Sequence, residues 1–131
     1  MVGLAVDPKS KRVLLVDDDE ASLPLVATVL QRSGFEVRTL SSVDQLRSTL
    51  GEWRPDVILT DVNMPGTSGV ELCRQLKAAY TTAHVPVVLF SSHSHEDLES
   101  LARSCEADGF LSKSDLARLP RELSLLIDTM F

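Results

Sequence analysis

The sequence predicts an α/β domain, a doubly wound five-stranded parallel sheet flanked by five helices. Three observations predict it. Hydrophobic periodicity switches repeatedly between strand-like and helix-like spacing along the chain. The segments at 56–60 and 85–90 are built on continuous apolar runs, which suit strands covered on both faces. The connections are short, and no internal repeat or low-complexity linker interrupts the alternation.

Each element has its own signal. Residues 1–11 read as a loosely held N-terminal extension ahead of a domain spanning 12–131. Residues 12–16 form a β-branched and Leu run that stops at Asp17. Residues 22–32 show helical spacing, with Val26, Val29 and Leu30 on one stripe; Pro24 fits only the first turn, and Gly34 is a stop signal. Residues 35–40 alternate apolar with polar, a half-buried strand. Val43, Leu46 and Leu50 mark a second helix closed by Gly51. The apolar run at 56–60 stops at Asp61, and a Pro65–Gly66 turn leads to a helix from about Ser68 carrying Val70, Cys73, Leu76 and Ala79. The run at 85–90 stops at Ser91. Ser94 and Asp97 stand at capping-box spacing before a helix with the stripe Leu98, Leu101, Ala102 and Cys105. Residues 108–112 are the fifth strand, ending at Lys113. Leu123, Leu126, Ile127 and Met130 stripe the last helix, with Pro120 near its start; Ser114 and Asp115 can cap a short turn that would break it.

Composition excludes several classes. With 131 residues, 44% hydrophobic and 24% charged, the chain is one globular domain, neither disordered nor disulfide-built. Its net charge of −6 argues against nucleic-acid contact by a general basic field. Cys73 and Cys105 lack CxxC spacing and read as core thiols of a cytoplasmic protein. No apolar run approaches membrane-spanning length, and no signal peptide is visible.

In an open α/β sheet, ligands bind beyond the carboxyl ends of the strands. The first strand ends in Asp17, Asp18 and Asp19, the third in Asp61, the fourth in Ser91 and Ser92, and the fifth in Ser112 and Lys113. These ends are expected on central strands. Clustered carboxylates repel, so some pKa values rise or a cation sits among them; all-oxygen ligation suits Mg²⁺ or Mn²⁺. A carboxylate, a divalent ion, an ammonium and a hydroxyl around one point equip a site for phosphoryl transfer, with Asp61 as the covalent nucleophile. Taken singly, each has a blander reading: an Asp after a strand is most often a cap or turn residue, and Asp19 is read as a cap on the first helix.

The motif-bearing stretches are VLLVDDDE at 13–20, VILTDVNMPGTSG at 57–69, VPVVLFSS at 85–92 and ADGFLSK at 107–113. Through them, nearly the whole chain resembles the receiver domain of two-component response regulators, a flavodoxin-like fold. The resemblance implies that Asp61 is the phosphoacceptor. It implies that Asp18, Asp61 and the backbone carbonyl of Asn63 ligate Mg²⁺, with Asp17 acting through a metal-bound water. Ser91 would bond a phosphoryl oxygen, Lys113 would pair with the acyl phosphate, and Phe110 would rotate inward as the switch aromatic. It further implies a phosphoryl donor (a histidine kinase or phosphotransfer protein) and a downstream effector protein reading the face of the fourth helix, fifth strand and fifth helix. Such a domain catalyses only its own phosphorylation and dephosphorylation. One departure is Ser114, where the family commonly has proline after a cis peptide; a trans, reshaped loop is expected here. His93, two residues beyond Ser91, falls where side chains affect water access, or is simply a solvated loop residue.

Two other classes compete. A Mg²⁺-dependent phosphatase with Asp61 as nucleophile would usually place a second Asp two residues on, where this chain has Asn63. A pseudo-receiver would use the fold only as a scaffold. The amphipathic segments at 98–105 and 119–130 are also compatible with a homodimer.

Overall fold

The computed structural model describes residues 11–64 and 66–130. Ten elements alternate: β1 (Arg12–Val16), α1 (Leu23–Arg32), β2 (Glu36–Leu40), α2 (Leu46–Glu52), β3 (Val57–Asp61), α3 (Gly69–Ala78), β4 (Val87–Ser91), α4 (His95–Cys105), β5 (Gly109–Ser112) and α5 (Leu119–Met130). The strands form one sheet in the order β2-β1-β3-β4-β5, and every neighbouring pair is parallel. The predicted fold class is therefore the observed one.

Strand alternation sorts the core into two layers. Val13, Leu15, Val57, Leu59, Val88 and Phe90 face α1 and α5, meeting Val26, Leu30, Leu123 and Ile127. Leu14, Val16, Ile58, Val87 and Leu89 face α2, α3 and α4, meeting Leu46, Leu72, Leu76, Leu98 and Ala102. β3 and β4 are buried along their whole length, as their uninterrupted apolar composition requires. At the amino edge of the sheet, carboxylates serve the backbone: Asp56 accepts the Arg12 N–H at 2.7 Å, and Asp108 accepts the Val87 N–H at 2.8 Å.

Several local expectations are refined. β3 extends through Asp61, so that aspartate is the strand's last residue. β4 begins at Val87, because Pro86 has no N–H to give the ladder. Gly51 lies inside the last turn of α2, and the buried, extended Trp53 ends that helix instead. Gly34 does end α1, at φ +98°, in the left-handed region. Ser94 caps α4 by accepting the Asp97 N–H at 3.2 Å. The Asp115 turn forms, with its carboxylate accepting the Ala117 N–H at 3.1 Å, but it precedes α5 and leaves that helix unbroken. β5 is an edge strand, so Lys113 does not come from the centre of the sheet.

Both cysteines are free and buried. The Cys73 thiol donates to the Cys105 carbonyl at 3.3 Å, and burial first, then its neighbour Cys105, hold its pKa far above the ordinary thiol value. These are inert core thiols. Among the described residues, no helix is long and apolar enough to cross a membrane. The expected extension lies, Lys11 aside, outside the described residues, as do Pro65 and Phe131.

Candidate functional site

The order β2-β1-β3 places the reversal of strand order between β1 and β3, and in such sheets ligands bind at the carboxyl edge of that point. Val16 pairs with Thr60, so Asp17 and Asp61 emerge side by side one step further on. Asp17 is 1% exposed and Asp61 8%, while Asp18 faces solvent. Carboxylate oxygens of Asp17, Asp18 and Asp61, one from each, lie within 4.8 Å of one another.

Each member is held by local chemistry. Asp17 Oδ1 accepts the Asp19 N–H at 3.0 Å, and Asp17 Oδ2 accepts Lys113 Nζ at 2.6 Å. Asp19 shapes the turn ahead of α1 and does not cap that helix, whose N-cap is Ser22: its carboxylate accepts the Ala21 N–H and its carbonyl the Ser22 and Leu23 N–H groups. Asp61 Oδ1 accepts the Val62 N–H at 2.9 Å and lies 3.3 Å from Lys113 Nζ. The Lys113 ammonium also sits 5.4 Å from the centre of the buried Phe90 ring.

The electrostatics follow from that packing. Burial raises the Asp61 pKa; the Lys113 charge opposes this, the Asp17 charge adds to it, and the net shift is upward. Burial alone would lower the Lys113 pKa, but the Asp17 hydrogen bond and the Asp61 and Asp17 charges outweigh it, and that pKa rises too. Three carboxylates thus cluster, and two of them, Asp17 and Asp61, share one ammonium. The donor set is all oxygen and partly open to water, which fits a hard divalent cation such as Mg²⁺.

Ser91, 2% exposed, ends β4 next to Asp61, since Asp61 pairs with Phe90. The Lys113 N–H donates to the Ser91 carbonyl at 2.9 Å, which ties the two residues together. No peptide bond among the described residues is cis, so the Lys113–Ser114 bond is trans. The Ser112 hydroxyl shapes that loop, accepting the Ser114 N–H at 3.0 Å, and Lys113 still reaches both aspartates. Asn63 is exposed, two residues beyond Asp61. Phe110 is half-buried against the α4 side of the core.

Two further neighbours, Gly69 and His95, were not singled out in the sequence, and a third, His93, was. Gly69 donates its N–H to the Val62 carbonyl at 2.8 Å, and a Cβ there would lie 1.8 Å from the Asp61 carbonyl oxygen. His93 bonds the Ser91 hydroxyl through both its ring and its backbone N–H. His95 meets Phe110 edge-on, with ring centres 5.0 Å apart. Only the His93 contact had a signal, its two-residue spacing from Ser91.

A doubly wound parallel sheet with clustered carboxylates and a lysine at its switch point defines an α/β protein with a candidate cation and phosphoryl site. Residues 13–124 match the family described as the response regulator receiver domain, and the chain belongs to that family. The phosphate regulon transcriptional regulatory protein PhoB of Pseudomonas aeruginosa is 32% identical over 113 residues, covering 86% of this chain and 48% of the relative. The transcriptional regulatory protein GltR of the same organism is 33% identical, covering 86% and 46%. The chain therefore spans about half the length of these curated relatives. Among solved structures, a chemotaxis response regulator of Vibrio cholerae superposes with a TM-score of 0.79 at 25% identity, covering 89% of this chain and 98% of that one. A response regulator receiver domain protein from Clostridium thermocellum superposes with a TM-score of 0.74 at 30% identity, covering 92% and 93%.

Proposed function

We propose that this receiver domain, residues 12–131 behind an extension at 1–11, is a phosphorylation-dependent switch with Asp61 as phosphoacceptor. The observation that carries the reading is the convergence of Asp17, Asp18 and Asp61 with Lys113 bonded to two of them. Asp18, Asp61 and the Asn63 carbonyl would hold Mg²⁺, with Asp17 acting through a bound water. When present, Mg²⁺ neutralises charge on the phosphoryl oxygens.

The chain's own groups do the rest. An Asp61 carboxylate oxygen attacks the phosphorus of a phosphohistidine on a histidine kinase or phosphotransfer protein. The P–N bond breaks, its electron pair stays on the histidine nitrogen, and an aspartyl phosphate forms. Burial raises the Asp61 pKa, and Lys113 favours the ionised form that attacks. Once the carboxylate is phosphorylated, Lys113 exchanges its contact with Asp61 for one with the new phosphoryl oxygens. Ser91 donates to one of them from the end of β4. The phosphoryl group adds charge and acceptors, and it shifts the domain only by its difference in affinity for two loop arrangements. In the favoured one, Ser91 is drawn in and Phe110 turns inward, which changes the α4–β5–α5 face presented to an effector protein. The domain acts on itself alone and turns over no outside substrate.

Incubation with Mg²⁺ and a small acyl phosphate tests the reading by intact mass. A gain of one phosphoryl group, lost in Asp61→Asn, is expected. Steady phosphate release from many organic phosphates would instead indicate a phosphatase. No modification under any donor would leave only a scaffold role.

A further inference from the structure

The Ser91 hydroxyl is already engaged before any phosphoryl group arrives. Its Oγ accepts the His93 backbone N–H at 3.3 Å and also bonds His93 Nδ1. A serine hydroxyl has one proton and two lone pairs. The backbone N–H takes one lone pair, so the ring contact decides what remains. If Nδ1 is bare, the hydroxyl donates to it and has no proton for another partner. If Nδ1 carries the proton, it fills the second lone pair, and the hydroxyl can only donate elsewhere.

We propose that His93 is a positioning residue for Ser91: the Nδ1–H form turns the buried Ser91 hydroxyl into an obligate donor toward Asp61, and the bare Nδ1 form withholds that donor. The inference rests on Asp61 being the phosphoacceptor and adds a two-state element set by the position of one proton. Phosphoryl oxygens are acceptors only, so they select the Nδ1–H form. The two hydrogen bonds then run in one chain, His93 to Ser91 to phosphoryl, and each polarises the next. His95 meets Phe110 from the start of α4, so each of these histidines touches one side chain assigned to the switch.

The test follows the ring nitrogens of His93 by ¹⁵N NMR in the full chain, with Mg²⁺ and then with beryllofluoride, a phosphoryl stand-in for carboxylates. We expect Nδ1 to become protonated as beryllofluoride binds, and Ser91→Ala to abolish that change. His93→Leu should weaken beryllofluoride binding about threefold, the size of a modest coupling between touching residues. His93→Asn, whose amide nitrogen occupies the δ position, should recover the loss. In the Ser91→Ala background, His93→Leu should have no effect.

A His93 ring that stays unchanged while the Val62 amide responds to beryllofluoride would overturn the inference and leave the Asp61 reading intact. So would a His93→Leu loss of equal size with and without Ser91. A Val62 amide that never responds would overturn the Asp61 reading, and this inference with it.

Discussion

At the residue scale, the site is a balance between burial and charge. Asp61 has a folded pKa above its ordinary 3.8, so the native state holds that proton more tightly than the unfolded chain. Native stability is therefore lost as pH rises from 3.8 through the raised value. Asp61→Asn lacks this term. The variant should be more stable than wild type above that window without divalent metal, with the advantage vanishing below it, as measured by urea denaturation across pH. Lys113 has the opposite bearing. Its raised pKa means that its stabilising contribution is complete below 10.5 and is lost as pH climbs through the folded value. Lys113→Met leaves the buried Asp17 carboxylate without its 2.6 Å partner and should cost about 2 kcal/mol at neutral pH by the same measurement.

At the element scale, helices and strands aim these residues. α3 starts against the end of β3, and Gly69 is where the two backbones touch. A methyl group there meets the Asp61 carbonyl, so Gly69→Ala should destabilise by about 2–3 kcal/mol and disturb Asp61 itself. Thermal melting reads the first effect, and the yield of phosphorylated protein reads the second. This need was illegible in the sequence: a glycine at a helix start looks like any other turn residue, and its purpose is visible only once β3 lies beside it. Strand ends were more legible. Asp17, Asp61, Ser91 and Lys113 all follow apolar runs, so topology had to deliver them to one edge. Asp56 and Asp108 show why position decides: at the opposite edge the same residue type holds strand N–H groups, and Asp108 also pairs with Lys77 at 2.6 Å. His93 was hard to weigh, because no hydropathy pattern announces a hydrogen bond to a neighbour two residues away.

At the scale of the whole molecule, the strand order is what creates the site. The reversal between β1 and β3 sets Asp17 and Asp61 side by side, and the edge strand β5 brings Lys113 across from the far side of β4. The alternation of apolar runs and helical stripes made the five-stranded sheet legible. The place of β5 at the edge was not, since periodicity gives elements and not their neighbours. On the proposed reading, the three carboxylates gathered in the native state bind a divalent ion far better folded than unfolded. Mg²⁺ should therefore raise the melting temperature of wild type, by about 2.7 kcal/mol of stability at a hundredfold excess over Kd. The gain should shrink sharply in Asp18→Asn and Asp61→Asn.

The most direct measurement is a crystal structure of the protein grown or soaked with magnesium. One ion is expected at the carboxyl edge of the sheet, bound by carboxylate oxygens of Asp18 and Asp61, with Lys113 still facing Asp61. An ion found elsewhere, or residues 18 and 61 too far apart to share one, would contradict that expectation.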